Sequence, residues 1–237
     1  MSKRFFIAFW ASFTIGVGVV VLLFYMIGKG YMGYMPSFQE LENPNSSLAT
    51  EVISTDNVVI GRYYLENRSN ISYENIPVNM RHALMATEDV RFFEHTGVDL
   101  RALLRVVKGV VTGDSQGGGS TVTQQLAKNL FLTSKRSYIR KGQELVIALM
   151  IEALWDKRRI LEVYLNVVEW GNGVYGAEAG AKHHYGVSAA QLSSYQAARM
   201  AGMLPAPRYF DKRKNSPFLA RKTGTLQKRM YQVTVPK

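Results

Sequence analysis

An uncharged apolar run near the N-terminus most constrains the fold of this 237-residue chain. No acidic or basic residue occurs from Phe5 to Gly28, and Lys3-Arg4 precedes the run. As a helix rising ~1.5 Å per residue, a run of this length covers roughly 35 Å and can cross a bilayer. A cleaved signal peptide is the alternative, but its apolar region is usually shorter, ~7–15 residues. The run therefore predicts an uncleaved membrane anchor.

The flanking residues predict the orientation and the segments that follow. The basic pair before the run favours a cytoplasmic N-terminus, although Lys29 on the far side weakens that argument. Pro36 and Pro44, with Asn and Ser near the end of the segment, indicate a linker. We expect a cytoplasmic tail at 1–4, an anchor at 5–28, a linker at 29–47 and an extracytoplasmic domain at 48–237.

Charge and cysteine content narrow the classes of function. The chain has 29 Lys+Arg against 18 Asp+Glu, a net charge of +11, and no cysteine. Disulfides, thiolate metal sites and a cysteine nucleophile are therefore excluded. The positive balance suits nucleic acid, anionic lipid or a phosphorylated substrate. An anchored external domain disfavours nucleic acid, so we expect no nucleic-acid partner.

Hydrophobic periodicity predicts a mainly α domain. Residues 51–64 alternate as in a short hairpin that turns at Asp56-Asn57. Helical spacing then recurs in seven segments, the last with a capping box of Ser188 and Gln191: Val78–Glu88, Leu100–Val111, Thr121–Leu130, Arg140–Trp155, Arg158–Val167, Val174–Tyr185 and Ser188–Met203.

The helix predicted at 100–111 has an unusual distribution of side chains. Arg101, Arg105 and Lys108 share one stripe, and leucines and valines fill the rest. Two interpretations fit: a surface helix packed on the core, or an interfacial helix with its bases at the lipid headgroups.

The run from Gly117 to Asn129 predicts an anion site. Its glycines allow a tight turn, Ser120 is a candidate N-cap, and Lys128 follows about two turns later. A helix N-terminus reached through such a turn binds phosphate groups. The spacing differs from that of a nucleotide P-loop.

Carboxylates are the candidate catalytic groups. Glu88-Asp89 ends a predicted helix beside Phe92-Phe93, a setting suited to a general base, although a solvated acid pair is the simpler interpretation. Glu144 follows Arg140 by one turn, which fits an ordinary ion pair, yet its helix is otherwise apolar. The four histidines show no metal-ligand spacing, so no protein metal site is expected.

Several of these segments together resemble a known family, the peptidoglycan glycosyltransferases of glycosyltransferase family 51. The resemblance spans roughly 48–210 and rests on five ordered motifs: Glu88 to Gly97, Gly118 to Asn129, Arg140 to Glu144, Arg159 through Asn166 to Gly176, and Leu192 to Pro205. The sequence departs from the family pattern at Ala179-Gly180, at His184-Tyr185-Gly186 and at Gln196. Since the chain ends at Lys237, it is expected to be of the monofunctional type, without a transpeptidase domain.

The resemblance implies a role for each matching residue. Glu88 would be the general base and Glu144 the second essential carboxylate. The residues expected to bind substrate are Asp89, Ser120, Thr121, Gln124, Gln125, Lys128, Asn129, Arg140, Lys141 and Asn166. The implied fold is a lysozyme-like helical head with a smaller membrane-proximal lobe, to which 100–111 would belong.

The resemblance also implies a reaction and partners. Lipid II would be polymerised into glycan at the extracytoplasmic face of the bacterial inner membrane by inverting β-1,4 transfer, with release of undecaprenyl diphosphate. No cofactor is certain, although Mg²⁺ or Mn²⁺ could accompany the diphosphate. The partners would be lipid II, the growing glycan, the membrane, and cell-wall synthesis or division proteins. A lytic transglycosylase and a non-catalytic scaffold are the alternatives.

Overall fold

A computed structural model describes residues 3–44, 50–53, 59–63, 67–68, 70–113, 118–133, 135 and 137–236. The described chain is mainly helical, as predicted. Its α-helices are α1 Lys3–Gly28, α2 Phe38–Glu42, α3 Val78–Glu88, α4 Leu100–Thr112, α5 Val122–Phe131, α6 Tyr138–Leu154, α7 Lys157–Val167, α8 Ala177–Tyr185, α9 Ser194–Met203, α10 Pro207–Asp211 and α11 Pro217–Met230. Short 3-10 helices occur at Tyr73–Asn75, Phe92–Glu94 and Ala189–Gln191.

Two small sheets complete the architecture. Strands β1 (Thr50–Ile53) and β2 (Val59–Tyr63) pair antiparallel, which confirms the predicted hairpin, while its turn at 56–57 lies outside the described residues. The second sheet has the order β3-β5-β4, formed by Asn67–Arg68, Val174–Tyr175 and Glu169–Gly171. Strand β5 is parallel to β3 and antiparallel to β4.

Several predicted helix boundaries differ from the observed ones, among them that of α6, which begins at Tyr138 rather than Arg140. Three of the differences have a clear local reason. The segment predicted from Val174 begins as β5, and α8 starts only after Gly176, whose φ of 84° interrupts the helical backbone. The segment predicted at 188–203 is divided, because Ser193 and Gln196 form a second capping box that starts α9. Helix α5 begins at Val122, with Thr121 rather than Ser120 as its N-cap.

The core is formed by two groups of helices. Helix α3 packs against α9 and α11, and α5 packs against α6 and α7. The largest fully buried side chains include Trp170, Tyr164 and Phe92. Trp170 also explains one departure from the family pattern: a Cβ on Gly180 would lie 2.9 Å from Trp170 Cγ, so glycine gives the indole its space.

Helix α1 contacts the domain only at its C-terminal end. Residues 3–23 are exposed, whereas Ile27 is buried against α6, where a Cβ on Gly142 would lie 2.6 Å from Ile27 Cδ1. The Gln143 side-chain amide donates to the Tyr34 carbonyl oxygen at 2.8 Å. By length and composition α1 is a candidate membrane span. The C-terminal end of α1 is therefore held against α6.

Helix α4 leaves its large apolar side chains outside the core. It buries Ala102 and Gly109, while Leu104 and Val111 are 69% and 81% exposed. As a surface helix, α4 therefore packs through small residues, and most of its leucines and valines do not contribute to the packing. An apolar face beside a basic stripe agrees with the interfacial alternative.

Candidate active site

Glu88 lies at the end of α3 and is held by a neutral hydrogen-bond chain. The Gln125 Nε2 donates to Glu88 Oε2 at 2.9 Å, and the Tyr164 hydroxyl donates to Gln125 Oε1 at 2.9 Å. Burial, followed by the charges of Glu88 and Asp89, raises the pKa of Tyr164 well above its ordinary value. Tyr164 therefore stays protonated and serves as a donor, which fixes Gln125 and, through it, the carboxylate.

Asp89 connects the end of α3 to the start of α5. Its Oδ2 accepts from the Val122 N–H at 3.1 Å, and both carboxylate oxygens lie 3.0–3.1 Å from His95 Nε2. Asp89 is buried, and a carboxylate at a helix N-terminus is favoured by the orphan N–H groups and the helix dipole. These contacts fix the Asp89 side chain next to Glu88.

The capping of α5 leaves Ser120 available for another contact. Thr121 and Gln124 form a capping box. Such a box requires Gln or Glu three residues after the N-cap. If Ser120 were the N-cap, that position would be Thr123, which cannot complete the box. The Thr121 hydroxyl also donates to the Gly97 carbonyl at 2.6 Å. Ser120 Oγ instead accepts from Lys141 Nζ at 2.7 Å. The glycine-rich turn is thus linked to α6.

The turn approaches α4 closely. A Cβ on Gly119 would lie 3.2 Å from Val106 Cγ2, which explains the small residue at this position. Gly117 lies outside the described residues.

The second carboxylate, Glu144, is buried on α6 among cations. Lys141 Nζ lies 2.6 Å from Glu144 Oε2, and Arg140 Nε lies 3.3 Å from Glu144 Oε1. Arg140 also donates from Nη1 to the Thr133 carbonyl at 3.2 Å. Burying a charge is unfavourable without a partner, and here two cations compensate one carboxylate. The surplus positive charge lies beside Ser120.

Lys128 interacts electrostatically with both carboxylates. Burial, the largest cause, lowers the pKa of this half-buried lysine, and Arg140 and Lys141 act in the same direction. Glu144 and Glu88 oppose the shift. The two acidic centres and Lys128 therefore belong to one electrostatic environment.

A cleft of about 760 Å³ joins these elements. It lies between the end of α3, the start of α4, the glycine-rich turn and α11. Five of the predicted site residues line it: Glu88, Asp89, Ser120, Thr121 and Gln125. Lys128, Arg140, Lys141 and Glu144 form the neighbouring cation cluster, which the Lys141–Ser120 hydrogen bond connects to the rim of the cleft.

Three predicted substrate-binding residues belong neither to the cleft lining nor to the neighbouring cation cluster. Gln124 is buried and caps α5, and Asn129 is exposed toward the end of the same helix. Asn166 uses its side-chain amide on Ile71: its Oδ1 accepts from the Ile71 N–H at 3.0 Å and its Nδ2 donates to the Ile71 carbonyl at 2.8 Å. Asn166 lines a different depression, of about 600 Å³.

Sequence reasoning missed two residues at this site, Tyr164 and Lys222. Tyr164 lies within the fourth motif, but only the fold shows that its hydroxyl reaches Gln125. Lys222 lines the cleft from α11 and donates to the Gly202 carbonyl at 3.1 Å. Burial lowers its pKa, and Glu88 opposes that shift. In the sequence, only the basic composition of the C-terminal segment indicated that a cation such as Lys222 could reach the cleft.

The described acidic groups of the site do not suit a resident Mg²⁺ or Mn²⁺. Such ions require several open oxygen ligands. Both oxygens of Glu144 face cations, and those of Asp89 face His95 and the Val122 N–H.

Taken together, the fold and cleft define a class: a mainly helical protein with a candidate membrane span and a carboxylate cleft bordered by cations. The family model described as Transglycosylase matches residues 56–231. Proteins named biosynthetic peptidoglycan transglycosylase are similar to this chain. That of Janthinobacterium sp. (strain Marseille) is 53% identical over 167 residues, 70% of this chain and 72% of the relative. That of Bordetella avium (strain 197N) is 42% identical over 233 residues, 96% and 97% of the two chains. The chain belongs to the transglycosylase family.

Proposed function

We propose that this chain is a peptidoglycan glycosyltransferase that polymerises lipid II into glycan strands at the membrane surface. Family membership and the names of its relatives support the biosynthetic activity. The observation that carries the site assignment is the presence of two carboxylates in different surroundings, one in the cleft and one in the neighbouring cation cluster. Glu88 is held by a neutral amide, whereas Glu144 is surrounded by cations.

Glu88 acts as the general base. It accepts the proton of the acceptor sugar 4-hydroxyl as that oxygen attacks the anomeric carbon of the donor. The new C1–O4 bond forms while the bond from C1 to the diphosphate oxygen breaks, so configuration inverts in one displacement. The donor glycan stays on the acceptor, undecaprenyl diphosphate departs as the leaving group, and Glu88 later releases its proton to water. The hydrogen bond from Gln125 holds one oxygen of the Glu88 carboxylate, so the base is already oriented for proton transfer.

The cations stabilise the departing diphosphate. Lys128, Arg140 and Lys141 present positive charge where negative charge grows in the transition state, so no strong acid is required. Glu144 sets the positions of the last two through its ion pairs. If a divalent cation takes part, it is expected to arrive with the diphosphate.

The membrane supplies the substrate, and the structure suggests how the cleft meets it. Helix α1 contacts α6 at Gly142, and Tyr34, which follows α1, contacts Gln143; both positions lie within two residues of Lys141 and Glu144. Helix α4, which carries the exposed apolar face, lines the cleft with Ala102 and Arg105. We expect the domain to lie on the extracytoplasmic side, where cell-wall synthesis or division proteins are the expected partners.

A glycan-cleaving enzyme is the weaker alternative. Hydrolysis of a neutral glycan has no use for the cation cluster, and the relatives are named for biosynthesis. Product analysis distinguishes the two, since the proposal expects labelled lipid II to grow into polymer and existing glycan to stay intact.

The site assignment is tested by Glu88→Gln in the purified full-length protein. Removing the base should lower lipid II turnover by about 10²- to 10⁴-fold while leaving substrate binding nearly unchanged. Glu94→Gln is the matched control, because Glu94 is an exposed carboxylate in the 3-10 helix that follows α3, and this variant should retain activity. Full activity in Glu88→Gln would refute the assignment.

The orientation is tested with single cysteines, because the chain has none of its own. In intact cells whose outer membrane admits the reagent, a membrane-impermeant maleimide should label Lys212→Cys and spare Ser2→Cys. The reverse labelling pattern would place the domain in the cytoplasm and contradict the proposal.

A further inference from the structure

A cluster of metal-ligating side chains lies outside the catalytic cleft. His183 and His184, at the end of α8, meet Asp211, the last residue of α10. One ligand atom from each of the three lies within 4.8 Å of the other two. None of the three lines the cleft that contains Glu88.

The hydrogen bonds around this cluster orient two of its side chains. His184 Nε2 lies 2.8 Å from the Trp170 carbonyl oxygen, and a carbonyl only accepts, so Nε2 carries the proton. Nδ1 of His184 then keeps its lone pair. Asp211 Oδ2 accepts from the Asn172 N–H at 3.1 Å, which fixes the carboxylate. Bonds of this kind, from a ring N–H or to a ligand oxygen, orient metal ligands in proteins.

The ligand atoms of His183 and Asp211 are already in contact. His183 Nε2 lies 2.7 Å from Asp211 Oδ1. Two ligand atoms on one tetrahedral zinc lie roughly 3.3 Å apart, given bonds of about 2.0–2.1 Å. His183 is the exposed member of the three, so its ring can retreat by about half an ångström to admit an ion.

We propose that His183, His184 and Asp211 bind a divalent transition-metal ion of the zinc class, which ties α10 to α8. Two imidazoles and one carboxylate are a known ligand set for zinc, whereas Mg²⁺ and Ca²⁺ prefer oxygen ligands alone. A water completes the coordination. The ion is structural and separate from any cation that accompanies the lipid diphosphate.

The test is calorimetric titration of ZnCl₂ into the chelator-treated full-length protein in detergent, without lipid substrate. We expect one Zn²⁺ per chain, unaffected by excess Mg²⁺. His183→Gln and Asp211→Asn should each weaken binding by about tenfold or more, as loss of a well-oriented ligand does. Asp211→Asn retains an oxygen acceptor for the Asn172 N–H. His82→Gln, which removes a histidine elsewhere, should bind like the parent.

Thermal unfolding gives a second measurement. An ion that binds only the native state raises the unfolding temperature, so Zn²⁺ should raise it in the parent and in His82→Gln but not in the ligand variants. Without zinc, Asp211→Asn should polymerise lipid II like the parent. Absence of binding in the parent, equal binding in all variants, or binding lost through Glu144→Gln instead would each overturn the proposal.

Discussion

The carboxylates of Glu88 and Glu144 are stabilised in opposite ways. Glu88 accepts a hydrogen bond from the neutral Gln125, which Tyr164 orients in turn. Glu144 is buried between Lys141 and Arg140. Protonating a carboxylate that has a neutral donor breaks no ion pair, whereas protonating one that lies between two cations weakens two. These surroundings agree with the proposed roles of Glu88 as proton acceptor and Glu144 as counter-ion.

The largest effect below Glu88→Gln is expected from Lys128→Met, because this lysine interacts with both centres. Loss of a cation aimed at developing charge should lower kcat by about 10²- to 10³-fold. Single-turnover assays on labelled lipid II would measure it. Lys212→Met, at an exposed lysine, is the control. A loss of less than threefold in Lys128→Met would mean that Lys128 does not act together with both Glu88 and Glu144.

The pH dependence of turnover is a second test of the role of Lys128. Burial lowers the pKa of Lys128, so its positive charge is lost at a lower pH than that of an ordinary lysine. Turnover should therefore decline as pH rises through that lowered pKa. Lys128→Arg, which stays charged, should extend activity to higher pH even if its absolute rate is lower. An unchanged alkaline limb would contradict the role of Lys128.

Glu144→Gln should have a smaller effect and of a different kind. Without the counter-ion, Arg140 and Lys141 lose their fixed positions, and turnover should fall by about 10- to 100-fold. Binding of labelled lipid II should weaken as well, which fluorescence anisotropy would detect. Glu88→Gln should instead bind normally. If Glu88→Gln lost binding and Glu144→Gln kept it, the two assignments would be reversed.

Tyr164→Phe should have the smallest effect. Its hydroxyl orients Gln125, and one such hydrogen bond contributes about 0.5–1.5 kcal/mol, equivalent to about two- to tenfold in rate. We expect kcat to fall with unchanged substrate binding, and Tyr164→Phe with Gln125→Ala to be less than additive. Tyr138→Phe, at a tyrosine that is 99% exposed, is the control. Additive losses would mean that the chain from Tyr164 to Glu88 does not act as a unit.

Local patterns predicted the elements more reliably than they predicted contacts. The bounds of α3 were predicted without error, since apolar spacing and the following Asp89 are local signals. The N-cap of α5 was misplaced by one residue because two adjacent hydroxyl residues compete, and Gln124 decides between them. The exposed apolar face of α4 was visible in the sequence, but which of its sides is buried depends on its neighbours.

The side-chain contacts that could not be predicted, in the catalytic cleft and outside it, depend on the tertiary fold. Lys222 reaches the cleft from a helix more than 130 residues after Glu88, outside every motif. Asn166 lies inside a motif, yet its amide pairs with the backbone of Ile71. Asp211 reaches His183 from 28 residues away, a spacing with no recognisable pattern. In each case the partner is chosen by helix packing.

The contact of α1 with α6 has a mechanical consequence. Ile27 fits against Gly142, and the neighbouring residues of α6 are Lys141, Arg140 and Glu144. A spanning helix responds to bilayer thickness by tilting. Because α1 packs directly against the helix that carries Arg140 and Lys141, a tilt of α1 in a membrane would change the depth at which positive charge meets the lipid diphosphate. The thickness of the host membrane would thereby help to set the catalytic rate.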